Sequence, residues 1–294
     1  MDLESTRLNY VPLGMKHRPR LKVPLKACEC HSHIYGPEPL YPFAQGPNRN
    51  HHPTTTVAEY RAVLDWLGIE RAVIVQPVAH GTDNRRTIDA IQEFGPDRAR
   101  GIANCTPDIS DRDLVAMNAM GIRGVRISGT TPDLPHDKVA AFAKRIAPMG
   151  WHIQFQDDGA RALEWLPLLR NLPVPVVIDH IARMPVGMKI NDPNFTALLK
   201  FLEGKERWLK ISGPYYGSAG GPPYADVVPR ITALAEHRPD RLVWALNWPH
   251  PGYPMDDKPD PVACIDILLD AVPNEGVRNA ILADNATKLY GFRD

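Results

Sequence analysis

The chain has 294 residues, 44% hydrophobic and 23% charged, with 34 Lys and Arg balancing 34 Asp and Glu. That is enough apolar chain for one large α/β core, and zero formal net charge excludes an electrostatic footprint for nucleic acid or an anionic membrane. No apolar run approaches the ~20 residues of a membrane-crossing helix, and the start, Met1-Asp2-Leu3-Glu4, lacks a signal-peptide pattern.

Short β-rich runs alternate with stretches of helical spacing along nearly the whole chain. After an N-terminal arm over 1–25, strands are expected at 26–35, 71–76, 99–105, 124–128, 152–156, 174–180, 208–212 and 242–247. Helices are expected between and after them at 56–67, 82–94, 110–120, 136–147, 160–170, 193–203, 223–236 and 260–271, with a last one at 274–283. Runs such as Ala72-Val73-Ile74-Val75 show little alternation, which suits strands covered on both faces. Eight strand–helix units over 26–294 predict a single (β/α)8 TIM barrel of the α/β class. An open doubly wound sheet is the alternative, but no Gly-rich dinucleotide fingerprint follows the first strand. The 30 prolines cluster in the arm, over 37–53 and over 249–261, where irregular walls over the scaffold are expected.

Polar residues fall at the C-terminal ends of these strands: His31, His33, Gln76, Arg126, Gln156, His180, Lys210 and Asn247. All such ends of a barrel open onto one face, where catalytic groups gather. Alternation sends His31 and His33 to the same side, a spacing that grips one metal ion or one substrate. Asp179, next to His180, is expected to point away into the barrel wall. Arg126 suits bidentate capture of a carboxylate, and Arg123 is expected to cap the preceding helix. Thr82 or Asp83 is expected to cap the helix after His80-Gly81, with His80 facing the mouth. Cys28 and Cys30 share a face and could pass for metal ligands, but are read as small core residues. Cys105 and Cys264 complete a set of four that is no disulfide framework, which predicts a reduced, cytoplasmic setting.

The order His31-x-His33, then Asp179-His180, then Asn247-Trp248-Pro249-His250 resembles the amidohydrolase superfamily. It is most similar to the branch of 2-pyrone-4,6-dicarboxylate lactonase and galactarolactone isomerase. The resemblance runs from Cys28 to Phe292 and includes Cys30-His31-Ser32-His33-Ile34-Tyr35-Gly36-Pro37, His80-Gly81-Thr82-Asp83-Asn84, Gly124-Val125-Arg126 and Asp284-Asn285-Ala286-Thr287-Lys288-Leu289-Tyr290. It implies a hydrolase opening the ester of a small carboxylated lactone, in the catabolism of aromatic compounds. His31, His33 and His180 would then polarise the lactone carbonyl, directly or through one divalent ion such as zinc, with metal-independent action equally open. Arg126 would hold a carboxylate, with His80, Gln156, Arg183 and His250 as further substrate contacts.

The sequence departs from the lactonase pattern at Asn247, where an aspartate general base is expected. An amide can only donate or accept hydrogen bonds. Either a hydrolase finds its base elsewhere (His250, Asp83 or a metal-bound water), or an isomerase lets a substrate hydroxyl attack, or the aspartate was replaced to trap a complex. A barrel that binds its ligand without turnover is the non-enzymatic alternative.

Overall fold

The computed structural model describes residues 15, 17–45, 54–128, 134–254 and 257–293; most of the expected N-terminal arm, 1–14 and 16, lies outside them. Eight parallel strands run in chain order around one sheet: β1 (Cys28–Ser32), β2 (Arg71–Val75), β3 (Ala99–Ala103), β4 (Ile122–Ser128), β5 (His152–Gln156), β6 (Val176–Ile178), β7 (Arg207–Ile211) and β8 (Leu242–Trp244). The helices that return between them are α1 (Val57–Leu67), α2 (Arg85–Phe94), α3 (Asp111–Ala119), α4 (His136–Ile146), α5 (Gly159–Arg170), α6 (Pro193–Leu202), α7 (Val228–His237) and α8 (Pro261–Ala271). This is the (β/α)8 barrel that the periodicity predicts.

The sheet is nearly closed. Between β8 and β1 the ladder gives way to a few specific bonds: Asn247 N donates to His31 O (2.8 Å) and His33 N to Trp248 O (2.8 Å). Glu29, fully buried, fastens the same seam. Its Oε1 accepts from Leu246 N (2.6 Å) and His31 N (3.0 Å), and its Oε2 accepts a short hydrogen bond from Tyr60 Oη on α1.

Two apolar layers surround the strands. The outer one lies between sheet and helices. The inner one fills the barrel with Cys28, Cys30, Val73, Val75, Ile102, Val177, Trp208, Val243 and Ala245, and is plugged by Ala286, Tyr290 and Phe292 of the C-terminal segment. All four cysteines are free and buried, so the core reading of Cys28 and Cys30 holds. Arg71 and Arg100, on β2 and β3, bond the C-terminal segment at Arg293 O and Gly291 O (3.2 and 3.1 Å), tying that plug to the sheet.

Several boundaries differ from expectation. The last helical region extends past 283: Glu275–Asn279 passes through a wider π turn, Ala280–Asp284, into Asn285–Tyr290. Asn84 occupies the N-cap position of α2 but its side chain makes no capping bond; Asp83, one of the two expected caps, supplies it, accepting from Arg85 N (3.2 Å) and pairing with the Arg85 guanidinium. Arg123 does cap the preceding helix, donating to Asn118 O at 2.8 Å. Among the described residues, no helix is long and apolar enough to cross a membrane.

Candidate active site

The site begins with an irregularity in β1. Glu29 pairs with Ala72 and Ser32 with Ile74, so three steps on β1 match two on β2. The extra residue is a β-bulge, and it reverses the alternation. Without it, Cys30 facing the barrel interior would turn His31 and His33 outward. With it, Cys28 and Cys30 line the inner core and the two imidazoles still enter the mouth.

A second irregularity follows β6. Asp179 is extended, but His180, Ile181, Ala182 and Arg183 all have positive φ, at 54°, 51°, 54° and 45°. Such a run of non-glycine residues costs roughly 1–2 kcal/mol each and persists only where the surroundings enforce it. Neighbours on a regular strand point to opposite faces. The change of hand at His180 brings Asp179 and His180 together at His31. The expectation that Asp179 points into the wall is therefore wrong: it is fully buried at the centre of the site, with Oδ1 3.3 Å from His31 Nδ1 and Oδ2 accepting from Gln154 Nε2 at 2.8 Å.

The polar groups close into one network. His33 Nδ1 lies 2.8 Å from Val75 O, and His31 Nε2 lies 3.1 Å from His33 Nε2. A carbonyl only accepts, so with both rings neutral His33 carries its proton on Nδ1 and His31 carries its own on Nε2. His31 Nδ1 is then an acceptor, facing Lys210 Nζ at 3.4 Å. Lys210 is fully buried and also donates to Gln154 Oε1 (2.6 Å) and to Asp179 Oδ1 (3.2 Å). The His180 ring sits 4.6 Å from that of His31, and its Nδ1 bonds Ser212 Oγ at 2.8 Å. Burial, reinforced for His31 by the Lys210 charge and for His180 by His31, pushes both imidazoles well below their ordinary range. Both are neutral at physiological pH.

Asn247 takes a left-handed backbone (φ 66°), which asparagine tolerates better than most residues. Its amide Nδ2 donates to Tyr215 Oη (2.9 Å) and Tyr216 Oη (3.2 Å). Tyr215 Oη is 3.1 Å from His250 Nδ1, and burial lowers the His250 pKa to about 3, so the hydroxyl is hydrogen-bonded to a neutral ring. With its N–H groups committed, Asn247 presents Oδ1, which accepts hydrogen bonds and takes no proton. Burial also raises the Tyr35, Tyr215 and Tyr216 hydroxyls, so all three remain phenols.

The expected substrate contacts separate into two groups. Arg126 is buried on β4 beside Gln154 in the register, within electrostatic reach of both His31 and Tyr35. Gln156 is half-buried two residues beyond Gln154 on the same strand face. His80 belongs to the wall: its Nε2 accepts from Gly36 N (3.3 Å) and its Nδ1 donates to Pro42 O (3.2 Å). Arg183 is at the rim, paired with Asp158 at 2.7 Å and lying 4.3 Å over the Tyr216 ring. His250 is buried, and among the described residues its Nε2 has no hydrogen-bond partner. Asp83, one of the alternative bases, is held by Arg85 and does not join these groups.

Metal-ligand geometry also differs from expectation. Among the described residues the three donors that lie within 4.8 Å of one another are His31, Asp179 and His180, with Asp179 in place of His33. Yet Asp179 Oδ1 and His31 Nδ1 both face the Lys210 ammonium. A divalent ion held by Asp179 at the usual ~2.0–2.2 Å would lie within roughly 5 Å of that charge. The donor set with Lys210 in place does not fit such an ion.

Sequence reasoning missed the roles of Lys210, Gln154, Asp179, Glu29, Ser212, Tyr215 and Tyr216. Lys210, an ammonium inside the apolar run Trp208-Leu209-Lys210-Ile211, was the one that carried a readable signal.

Residues 28–292 match the amidohydrolase family. The chain belongs to that family. Among its amidohydrolase relatives is the 2-pyrone-4,6-dicarboxylate hydrolase of Comamonas testosteroni, 34% identical over 93% of this chain and 92% of that one. The D-galactarolactone isomerase of Agrobacterium fabrum (strain C58) is 32% identical over 79% and 80%. A solved apo structure from Agrobacterium tumefaciens superimposes with a TM-score of 0.84 at 29% identity, covering 94% of this chain and 99% of that one.

Proposed function

We propose that this amidohydrolase opens the ester bond of a small, carboxylated lactone, with water as the acyl acceptor. The observation that carries the proposal is the meeting of three imidazoles, His31, His33 and His180, beside the buried guanidinium of Arg126. The His31 Nε2–H, which points to His33 Nε2 at 3.1 Å, is the donor that a bound lactone carbonyl oxygen would share, and such a donor in a dry, preorganised site stabilises the oxyanion that forms when a nucleophile adds. The ring C–O bond then breaks, and the leaving oxygen takes a proton. Arg126 supplies the charge that selects a carboxylate. The names of the hydrolase and isomerase relatives support a lactone as the substrate class.

Asn247 favours a second reading. A site whose base position holds an amide suits an isomerase, in which a hydroxyl of the substrate attacks its own lactone carbonyl. In the hydrolytic reading the proton of water must go to an imidazole; His180, with Nδ1 tied to Ser212, leaves Nε2 for it.

The same reading takes 26–294 as one barrel domain with 1–25 as an arm, acting in the cytoplasm on products of aromatic catabolism. The four free cysteines support a reducing setting.

The test is turnover, followed by NMR, of γ- and δ-lactones with and without ring carboxylates. Carboxylated lactones should be consumed and their uncarboxylated counterparts spared. Arg126→Met should raise KM at least about tenfold, the scale of one lost charge-assisted contact, with the circular dichroism spectrum unchanged. Equal turnover of both lactone classes, or an unaltered KM, would remove Arg126 from substrate selection.

A further inference from the structure

Lys210 is the one lysine the described residues enclose fully, in a strand whose adjacent side chains are Leu209 and Ile211. An ammonium inside a protein is unfavourable unless its charge and its donors are matched. Here both are. The three N–H donors of lysine meet three acceptors, Gln154 Oε1 at 2.6 Å, Asp179 Oδ1 at 3.2 Å and His31 Nδ1 at 3.4 Å. Two of those acceptors belong to the group His31, Asp179 and His180, whose ligand atoms lie close enough to hold a metal ion. The single carboxylate of that group already faces a positive charge, and an imidazole lone pair that a metal would need is turned to the same nitrogen.

We propose that the Lys210 ammonium is the resident cation of the His31–Asp179–His180 donor set and that it keeps a divalent metal out. Lysine supplies the positive charge as a fixed part of the strand, so the site is complete without an added ion. It also matches the His31 tautomer that His33 fixes, with the ring proton on Nε2 and the Nδ1 lone pair toward the ammonium. The proposal goes beyond the choice between water and a substrate hydroxyl as nucleophile and holds for either.

The experiment is a titration of chelator-stripped protein with Co²⁺, read by its visible d–d absorbance and by equilibrium dialysis. The variants are Lys210→Met, Lys210→Gln and Lys210→Met/His180→Asn, each checked for folding by circular dichroism. Wild type should bind no Co²⁺ in a His180-dependent manner. Folded Lys210→Met or Lys210→Gln should gain one equivalent, at least about tenfold tighter than wild type, and His180→Asn should abolish the gain. Stoichiometric, His180-dependent Co²⁺ binding by wild type would overturn the proposal. So would a folded lysine variant with no gain. If both single lysine variants fail to fold, the wild-type titration against His180→Asn alone still decides the exclusion.

Discussion

Asn247 is the residue on which the chemistry turns. Its Nδ2 is held by Tyr215 and Tyr216, which fixes the amide plane and leaves Oδ1 to orient a nucleophile. In Asn247→Asp the tyrosine hydroxyls would donate to a carboxylate, and that carboxylate could take the proton of water. A positioned base is worth about 10²–10⁴-fold, so hydrolysis of a carboxylated lactone should rise by at least about tenfold in steady-state assays. A fall in hydrolysis would show that the amide itself serves the reaction. The histidines and Asn247 were legible in the sequence, because each ends an apolar run. Tyr215 and Tyr216 were not: they sit in a short turn after β7, where no periodicity says which way a side chain points.

At the scale of elements, all eight strands were legible from their apolar runs, while the faces of two of them were not. Alternation assumes a regular strand. The bulge in β1 and the left-handed turn after β6 each break that rule at the site, and the second is why Asp179 was misplaced. Gly124 shows a third constraint that sequence hides. It pairs with His152 across β4 and β5, and a Cβ there would meet His152 O at 2.7 Å and Nε2 at 2.9 Å. One contact is backbone and cannot swing away. Gly124→Ala should therefore destabilise by about 1–3 kcal/mol, as overpacking does, despite the propensity gain of losing a strand glycine. Urea unfolding checks this, and an unchanged or higher midpoint would contradict it.

At the scale of the whole molecule, the barrel buries several titratable groups in their neutral forms. Burial holds His31 and His180 well below 6.5 and brings His152 and His250 to about 3. Unfolded, each would titrate near ~6.5. Below that pH the unfolded chain binds more protons, so stability falls on acidification toward pH 3, by up to about 1.4 kcal/mol per pH unit for each histidine. Glu29 works the other way. Burial raises its pKa, so between its ordinary value and its folded value the native state holds the extra proton and gains as pH falls. Four histidines outweigh one glutamate, and the urea midpoint should drop steadily from pH 7 to pH 5. A flat or rising midpoint would mean that these imidazoles are charged in the native state.

The central claim is that water opens a carboxylated lactone in this barrel mouth, and ¹⁸O labelling tests it most directly. Purified enzyme would be incubated with dicarboxylic γ- and δ-lactones in H₂¹⁸O and the products examined by NMR and mass spectrometry. An open-chain acid carrying one ¹⁸O in its new carboxylate is the predicted result. An unlabelled lactone of altered ring size would contradict hydrolysis and assign the attack to the substrate's own hydroxyl, beside Asn247.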